Sequence, residues 1–197
     1  MGPETEPVHA FPNAKLDLPG VIPVQLSTIT GLKVNTNWTY GVGNDIAPSN
    51  DDVTLSAENL NANVCVDMFA DADATNSQST TNATYEVMVW LGRWGSATLP
   101  IGWLEGERLI LTVGDGTSFG LFYGDNGLGQ KVFTWVAHGN TTSFHADIYP
   151  LLGELEQFGG PSHTDHLGYV AFGSEALYSL QNVTFAVPGL AMELTTA

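Results

Sequence analysis

A single cysteine, Cys65, and only five lysines and arginines occur in this chain of 197 residues. One thiol cannot close an intrachain disulfide, so no such bridge holds the fold. With no basic residue near it in sequence, Cys65 also lacks the electropositive setting that activates a thiol, and between Val64 and Val66 it reads as a small buried filler. The five basic residues face 21 acidic ones, giving a formal charge of −16 at pH 7. A chain with no cationic surface cannot displace phosphate counterions, which excludes nucleic acid as a partner. Nor does any apolar run approach the roughly 20 residues that span a bilayer, so no membrane partner is expected. An acidic surface keeps a protein soluble and is compatible with a neutral polysaccharide, and a monomer is expected.

The opening Met1-Gly2-Pro3-Glu4-Thr5-Glu6 has neither a basic n-region nor an apolar h-region, so this sequence shows no signal peptide. Four Asn-x-Ser/Thr sequons, at Asn37, Asn82, Asn140 and Asn182, nevertheless suit a secreted, extracellular glycoprotein whose signal is absent from this stretch.

The length suits one undivided domain over residues 1–197, with the first 20 residues irregular. Short β-rich runs dominate: Leu32 to Tyr40, Ala62 to Phe69, Thr84 to Leu91, Arg108 to Val113, Ser118 to Tyr123, Lys131 to Ala137, Leu167 to Gly173 and Asn182 to Val187. Turn-forming residues separate them at Gly41 to Asn50, Asp71 to Asn82, Gly114-Asp115-Gly116 and Gly124-Asp125-Asn126-Gly127. This is the pattern of an antiparallel sandwich or barrel, an all-β fold. One helix is predicted from Asp147 to Phe158, where Ile148, Leu151, Leu152, Leu155 and Phe158 recur at helical spacing. Asp147 can cap it, Pro150 suits its first turn and Gly159-Gly160-Pro161 ends it. Such an amphipathic helix would cover the outer sheet as scaffold.

Against this background the acids in apolar strands stand out. In Tyr85-Glu86-Val87-Met88-Val89-Trp90-Leu91, alternation sends Tyr85, Val87, Val89 and Leu91 to one face and Glu86, Met88 and Trp90 to the other. A carboxylate between a thioether and an indole is poorly placed for solubility and well placed to meet a sugar ring, which stacks its apolar face on aromatics and needs polar partners for its hydroxyls. A second lone carboxylate stands in Gly173-Ser174-Glu175-Ala176-Leu177. A third, Asp67, shares a strand face with Cys65 and Phe69, opposite Val64, Val66 and Met68. Singly each could be a solvated residue on an exposed sheet face, but three in apolar strands point to a site. Two carboxyls about 5 to 5.5 Å apart hydrolyse a glycosidic bond with retention and two about 6.5 to 9.5 Å apart with inversion, a gap that sequence does not measure; Asp67 beside Glu86 would orient it and raise at least one pKa.

The run Tyr85 to Gly92, the later Pro100-Ile101-Gly102, the hairpin Leu121-Phe122-Tyr123-Gly124-Asp125-Asn126-Gly127 and Gly173-Ser174-Glu175 together resemble the landmarks of glycoside hydrolase family twelve. The resemblance covers roughly Asn35 to the C-terminus. It implies a jelly-roll sandwich of two antiparallel sheets whose concave face is an open cleft for a β-glucan chain, and an endo-β-1,4-glucanase or xyloglucanase that needs no cofactor or metal. It implies that Glu86 is the nucleophile, Glu175 the general acid/base and Asp67 the aspartate that supports the nucleophile. Met88 and Trp90 would touch substrate beside the nucleophile, Pro100 and Ile101 would lie on a loop crossing one end of the cleft, and Asn126 would make a polar contact. The family's N-terminal strands, with a sugar-stacking tryptophan in an Asn-Asn-Leu-Trp-Gly-like segment and a cysteine pair, have no counterpart in this sequence, and Leu177 stands where relatives carry an aromatic. That absence is the ground for the alternative, a non-catalytic relative acting as a glucan-binding or decoy protein. A plain β-sandwich lectin is a third expectation.

Other motifs point elsewhere less well. His163-Thr164-Asp165-His166 lacks the ligand framework of a zinc site and reads as a polar loop after the helix. Asp71-Ala72-Asp73 lacks the glycine and terminal glutamate of a calcium loop. No Gly-x-Ser-x-Gly elbow supports a serine hydrolase.

Overall fold

The computed structural model describes residues 7–44 and 52–197, so Met1 to Glu6 and positions 45–50 of the turn segment Gly41 to Asn50 lie outside the described residues. The strands are β1 (Asn13–Lys15), β2 (Val24–Gln25), β3 (Ile29–Val42), β4 (Asn61–Asp71), β5 (Tyr85–Trp94) and β6 (Ile110–Thr112). They continue as β7 (Ser118–Asp125), β8 (Lys131–Ala137), β9 (Ser143–Asp147), β10 (His166–Gly173), β11 (Ala176–Tyr178) and β12 (Val183–Thr196). Two short helices are added, α1 (Asp52–Ala57) and α2 (Tyr149–Gly153).

Among the described residues, nine strands form the larger sheet in the order β1-β10-β4-β5-β8-β7-β6, with β2 also on β10 and β11 on β4; β12-β3-β9 form the smaller sheet behind it. Every pairing is antiparallel except β5 with β8. That exception follows from connectivity, because β6 and β7 turn back along the sheet before β8 enters between β7 and β5.

Alternation explains the two layers. Along β3, Leu32, Val34, Thr36, Trp38 and Tyr40 are buried while Lys33, Asn35 and Asn37 are exposed, the signature of a sheet with one face in the core. Val64, Val66 and Met68 of β4 and Val87, Val89 and Leu91 of β5 meet that face from the larger sheet. The Trp38 ring packs edge-on against Trp94 at 5.7 Å between centroids. Loss of such an indole costs about 3–5 kcal/mol, as the surrounding strands cannot collapse into the space.

One irregularity in β5 matters for the site. Trp90 lies opposite Cys65, but Gly92 lies opposite Val64, so β5 carries an extra residue and its alternation slips by one. Gly92 therefore points at the core, where a Cβ would come within 2.7 Å of the Trp38 ring, and Arg93 takes the concave face in its place.

The helix is shorter than its apolar spacing predicts. The N-cap is Ile148 and not Asp147, which sits one residue earlier and accepts the Tyr149 N–H on its Oδ1 at 2.9 Å; α2 stops at Gly153 and the chain tightens into a 3-10 turn over Glu156–Phe158. Gly153 is a poor helix former, and the tighter turn still keeps Leu155 fully buried. The segment packs on β3, and the Trp135 indole of β8 donates to the Leu151 carbonyl, so it closes the core between the sheets. Four short strands, β1, β2, β9 and β11, carry too little apolar pattern to be read from sequence. The expectation of an irregular first 20 residues is corrected by β1, whose Asn13, Ala14 and Lys15 pair with Gly173, Phe172 and Ala171. β12 runs to Thr196 rather than ending at Val187, because a register shift between Ala186 and Gly189 lets Pro188 pass without breaking the ladder.

Candidate active site

The concave face of the larger sheet is assembled by strand register. Asp67 lies opposite Met88, Cys65 opposite Trp90 and Phe69 opposite Glu86, so Asp67 is a diagonal neighbour of Glu86 across β4 and β5. On the other flank Val132, Thr134 and Val136 of β8 stand beside Glu86, Met88 and Trp90. Cys65, Met88, Trp90 and Val132 form a buried apolar floor against which Phe11 and Ile101 pack from opposite sides. Cys65 is thus the inert filler its sequence context suggests.

Glu175 reaches this face from the turn between β10 and β11. That turn is nailed to β4: the fully buried Ser174 hydroxyl donates to the Asn63 carbonyl at 2.6 Å, and the Asn63 N–H donates to the Glu175 carbonyl at 3.0 Å. The Asn63 side chain then takes both ends of Glu175. Its Oδ1 accepts the Glu175 backbone N–H at 3.1 Å, which fixes the amide so that Nδ2 faces and donates to Glu175 Oε2 at 2.5 Å. Asn63 carried no sequence signal and is the clearest functional residue that pattern reading missed.

Three carboxyls crowd one low-dielectric floor. Burial, then the neighbouring Glu175, pushes Glu86 up to about 7. Burial raises Glu175 as well, opposed by the Asn63 hydrogen bond, which favours its ionised form. Asp67 is raised too: burial, then Glu86 and Glu175, hold it well above the carboxylate range, and its buried Oδ1 has no hydrogen-bond partner among the described residues. Charge on Glu175 disfavours ionisation of Glu86, and charge on either glutamate disfavours that of Asp67, so the three acids titrate as a coupled set.

The remaining predicted residues sort themselves by the loop that follows β5. Trp90 lines a cavity of about 400 Å³ with Arg93, Trp103, Phe122 and His138. Pro100 and Ile101 begin a segment that lies flat on β7, made possible by glycines that alternate with Phe122. A Cβ on Gly124 would sit 2.7 Å from Ile101 and one on Gly120 2.5 Å from Glu107, while Trp103 stacks on Phe122 at 5.1 Å. The segment is a wall at the β7 side of the cleft. Asn126 is turned to its own hairpin: its Oδ1 accepts the Leu128 and Gln130 N–H groups and its Nδ2 donates to Gln130 Oε1. Its bonds close the β7–β8 hairpin, and none joins it to the carboxyls among the described residues. At the opposite side Phe11 and β1 stand beside Gly173, a wall invisible in sequence because the stretch has no strand-like pattern. The polar loop residues go elsewhere, His163 pairing with Glu156 at 3.2 Å and Asp165 accepting the Ser162 N–H. Asp71 closes its own loop by accepting from Thr84 and Asp73.

A jelly roll of two sheets with a carboxyl cluster in the middle of its concave floor and a wall at each side defines a protein of the glycoside-hydrolase type. The chain belongs to glycosyl hydrolase family 12, whose model matches residues 20–194. It is 30% identical over 180 residues to the protein named "Probable xyloglucan-specific endo-beta-1,4-glucanase A" of Aspergillus fumigatus, an alignment covering 91% of this chain and 64% of that one. Endoglucanase A of Aspergillus kawachii is 33% identical over 189 residues, covering 80% of this chain and 76% of the relative. Among solved structures, endoglucanase 3 of Trichoderma harzianum shares the fold with a TM-score of 0.75 at 24% identity, over 96% of this chain and 72% of that one. The chain therefore spans just under two thirds of the Aspergillus fumigatus relative's length.

Proposed function

We propose that this chain is a retaining, endo-acting β-1,4-glucanase that acts on cellulose-like, mixed-linkage or xyloglucan chains. The observation that carries the reading is the meeting of Glu86, Glu175 and Asp67 on one concave sheet face, with Asn63 gripping Glu175 at backbone and carboxyl. Names of relatives support the substrate class, one being described as xyloglucan-specific and another as an endoglucanase.

In this reading a glucan lies across the strands with a ring over Met88 and Trp90. Because Asn63 Nδ2 donates to Glu175 Oε2, the acidic proton resides on Oε1 and is the one delivered to the leaving glycosidic oxygen. Glu86, in its ionised form, attacks the anomeric carbon as Glu175 gives up its proton, the bond to the leaving oxygen breaks and a glycosyl-enzyme forms. Asp67, neutral beside it, relieves repulsion and is available to donate to the Glu86 carboxylate. Glu175, now a base, draws a proton from water, which attacks the anomeric carbon and restores both acids. The four sequon asparagines, Asn37, Asn82, Asn140 and Asn182, are all exposed, which supports the reading of a secreted glycoprotein.

Reducing-end release from xyloglucan, carboxymethyl cellulose and mixed-linkage glucan tests the proposal. Glu86→Gln and Glu175→Gln are each expected to remove nearly all turnover with the unfolding transition intact. Wild-type-like turnover in either variant overturns the roles assigned, and no turnover by the wild-type chain on any of the three leaves a glucan-binding relative instead.

A further inference from the structure

We infer that Arg93 is a positioning residue: by bonding the Thr98 carbonyl and stacking on Trp103, it latches the segment that carries Pro100 and Ile101 and so sets substrate affinity at the β7 side of the cleft. The inference rests on the β-glucanase reading above and adds a residue that neither strand alternation nor the carboxyl cluster points to.

Three observations converge on it. The extra residue in β5 is what turns Arg93 rather than Gly92 toward the concave face, and its backbone N–H is held there by Asn140 Oδ1 at 2.9 Å. From that anchor one guanidinium serves both halves of the loop. Its Nη1 donates to the Thr98 carbonyl at 2.8 Å, before Pro100, and its Cζ lies over the Trp103 ring, 4.9 Å from the centroid, after Ile101. No carboxylate among the described residues pairs with it, although the chain carries 21 acidic residues, so the charge is committed to the loop. Lysine cannot do the same, since a point charge on a flexible stem does not stack flat on an indole while bonding a carbonyl in its own plane.

The loop needs such a latch. Leu104 at its crest is 98% exposed and Trp103 is 38% exposed, so little apolar burial holds the crest down. Beneath the crest lie the glycines of β7 and the face of Phe122, while the segment's Ile101 packs further in, on the buried floor. Trp103, on Phe122 of β7, stands two strands from Glu86, about 10 Å at ordinary strand spacing, too far to touch the reacting bond and close enough to contact a neighbouring sugar. A contact made equally in ground and transition states appears in KM and leaves kcat alone.

The test compares Arg93→Met, Arg93→Lys and Trp103→Leu with the wild-type chain on a soluble β-glucan, alongside the rate of chymotryptic cleavage after Leu104. Arg93→Met is expected to raise KM about tenfold with kcat within about twofold, the scale of one lost charge-assisted hydrogen bond, and to speed the cleavage by a similar factor. Arg93→Lys should fall between the two, and Trp103→Leu, which leaves the arginine in place, should behave like Arg93→Met and serves if that variant does not fold. Unchanged KM and unchanged cleavage in a folded Arg93→Met overturn the inference, as does a fall in kcat of the same size as the rise in KM. If the wild-type chain turns over no β-glucan, the proposed activity fails while the cleavage rates still decide whether Arg93 holds the loop.

Discussion

The amide of Asn63 holds Glu175 at two points, accepting its backbone N–H at 3.1 Å and donating to its Oε2 at 2.5 Å. A side chain bonded in this way has little freedom about its terminal torsion, so the carboxyl plane is set before substrate arrives. Asn63→Ala removes both bonds and leaves Glu175 raised by burial alone. The expected result is a kcat lower by about thirtyfold, corresponding to about 2 kcal/mol of lost orientation. Because the lost bond favoured the ionised form, the alkaline limb of the pH–rate profile should move upward in the variant. A downward shift of that limb would show that Asn63 acts on Glu175 in the opposite sense.

Glu86 offers a stability test with a definite sign. Its folded pKa is about 7 against an ordinary value of 4.5, so the folded chain keeps a proton that the unfolded chain releases. That contribution is fully present below the unfolded value, falls as pH rises through the window from about 4.5 to 7, and is gone above it. Glu86→Gln carries no charge in either state and escapes the loss. The variant should match the wild type at pH 4 and exceed it by about 2–3 kcal/mol at pH 7.5, read from denaturant midpoints. An equal difference at both pH values would mean the gain is packing and not protonation.

How far the sequence carried depends on the kind of information each residue's role needs. Glu86, Met88 and Trp90 were legible because alternation within one strand is a local property, and Asp67 for the same reason. The meeting of Glu175 with β4 was not, since its partner Asn63 is 112 positions away and only the β10–β11 turn brings them together. Arg93 was hidden by the extra residue in β5, which depends on pairing with Val64 and Cys65 and defeats simple counting. Phe11 was hidden because its neighbours His9, Ala10 and Pro12 have no strand pattern, and their place is fixed by backbone bonds to Ser174 and Ala176. The Asp147 to Phe158 periodicity was real, but Gly153 splits what it predicted as one helix.

Glycines under the cleft wall separate backbone strain from steric exclusion. Gly102 has φ 86°, and a Cβ there would lie 2.3 Å from the Tyr123 carbonyl oxygen, a backbone atom that cannot swing aside. Gly116, in the β6–β7 turn, has φ 90° and nothing within 4 Å. Gly116→Ala should therefore cost only the left-handed conformation, about 1 kcal/mol, whereas Gly102→Ala should cost about 2–3 kcal/mol or lift the Pro100–Glu105 segment. Urea midpoints of the two variants decide, and equal losses would mean that the wall segment already moves freely on β7.

Asp67 is the acid whose protonation the geometry constrains most. It is only 7% exposed, faces two other carboxyls across the floor, and is held by burial and by Glu86 and Glu175 well above the carboxylate range. A neutral Asp67 is close in shape and charge to asparagine, which also keeps a donor where the acid's O–H would be. Asp67→Asn should thus keep the wild-type unfolding midpoint near pH 6, while Asp67→Ala, which opens a polar void between β4 and β5, should lower it by about 1–3 kcal/mol. Activity separates the roles further. If Asp67 acts by holding Glu86 and not by attacking substrate, Asp67→Asn should lose about tenfold in kcat, far less than Glu86→Gln, because the asparagine amide can still donate to the nucleophile. Its acid limb should also change, since one of the three coupled protons is gone. Loss of turnover as complete as in Glu86→Gln would instead require Asp67 to give or take a proton during the reaction, and would move it from support of the nucleophile into the chemistry itself.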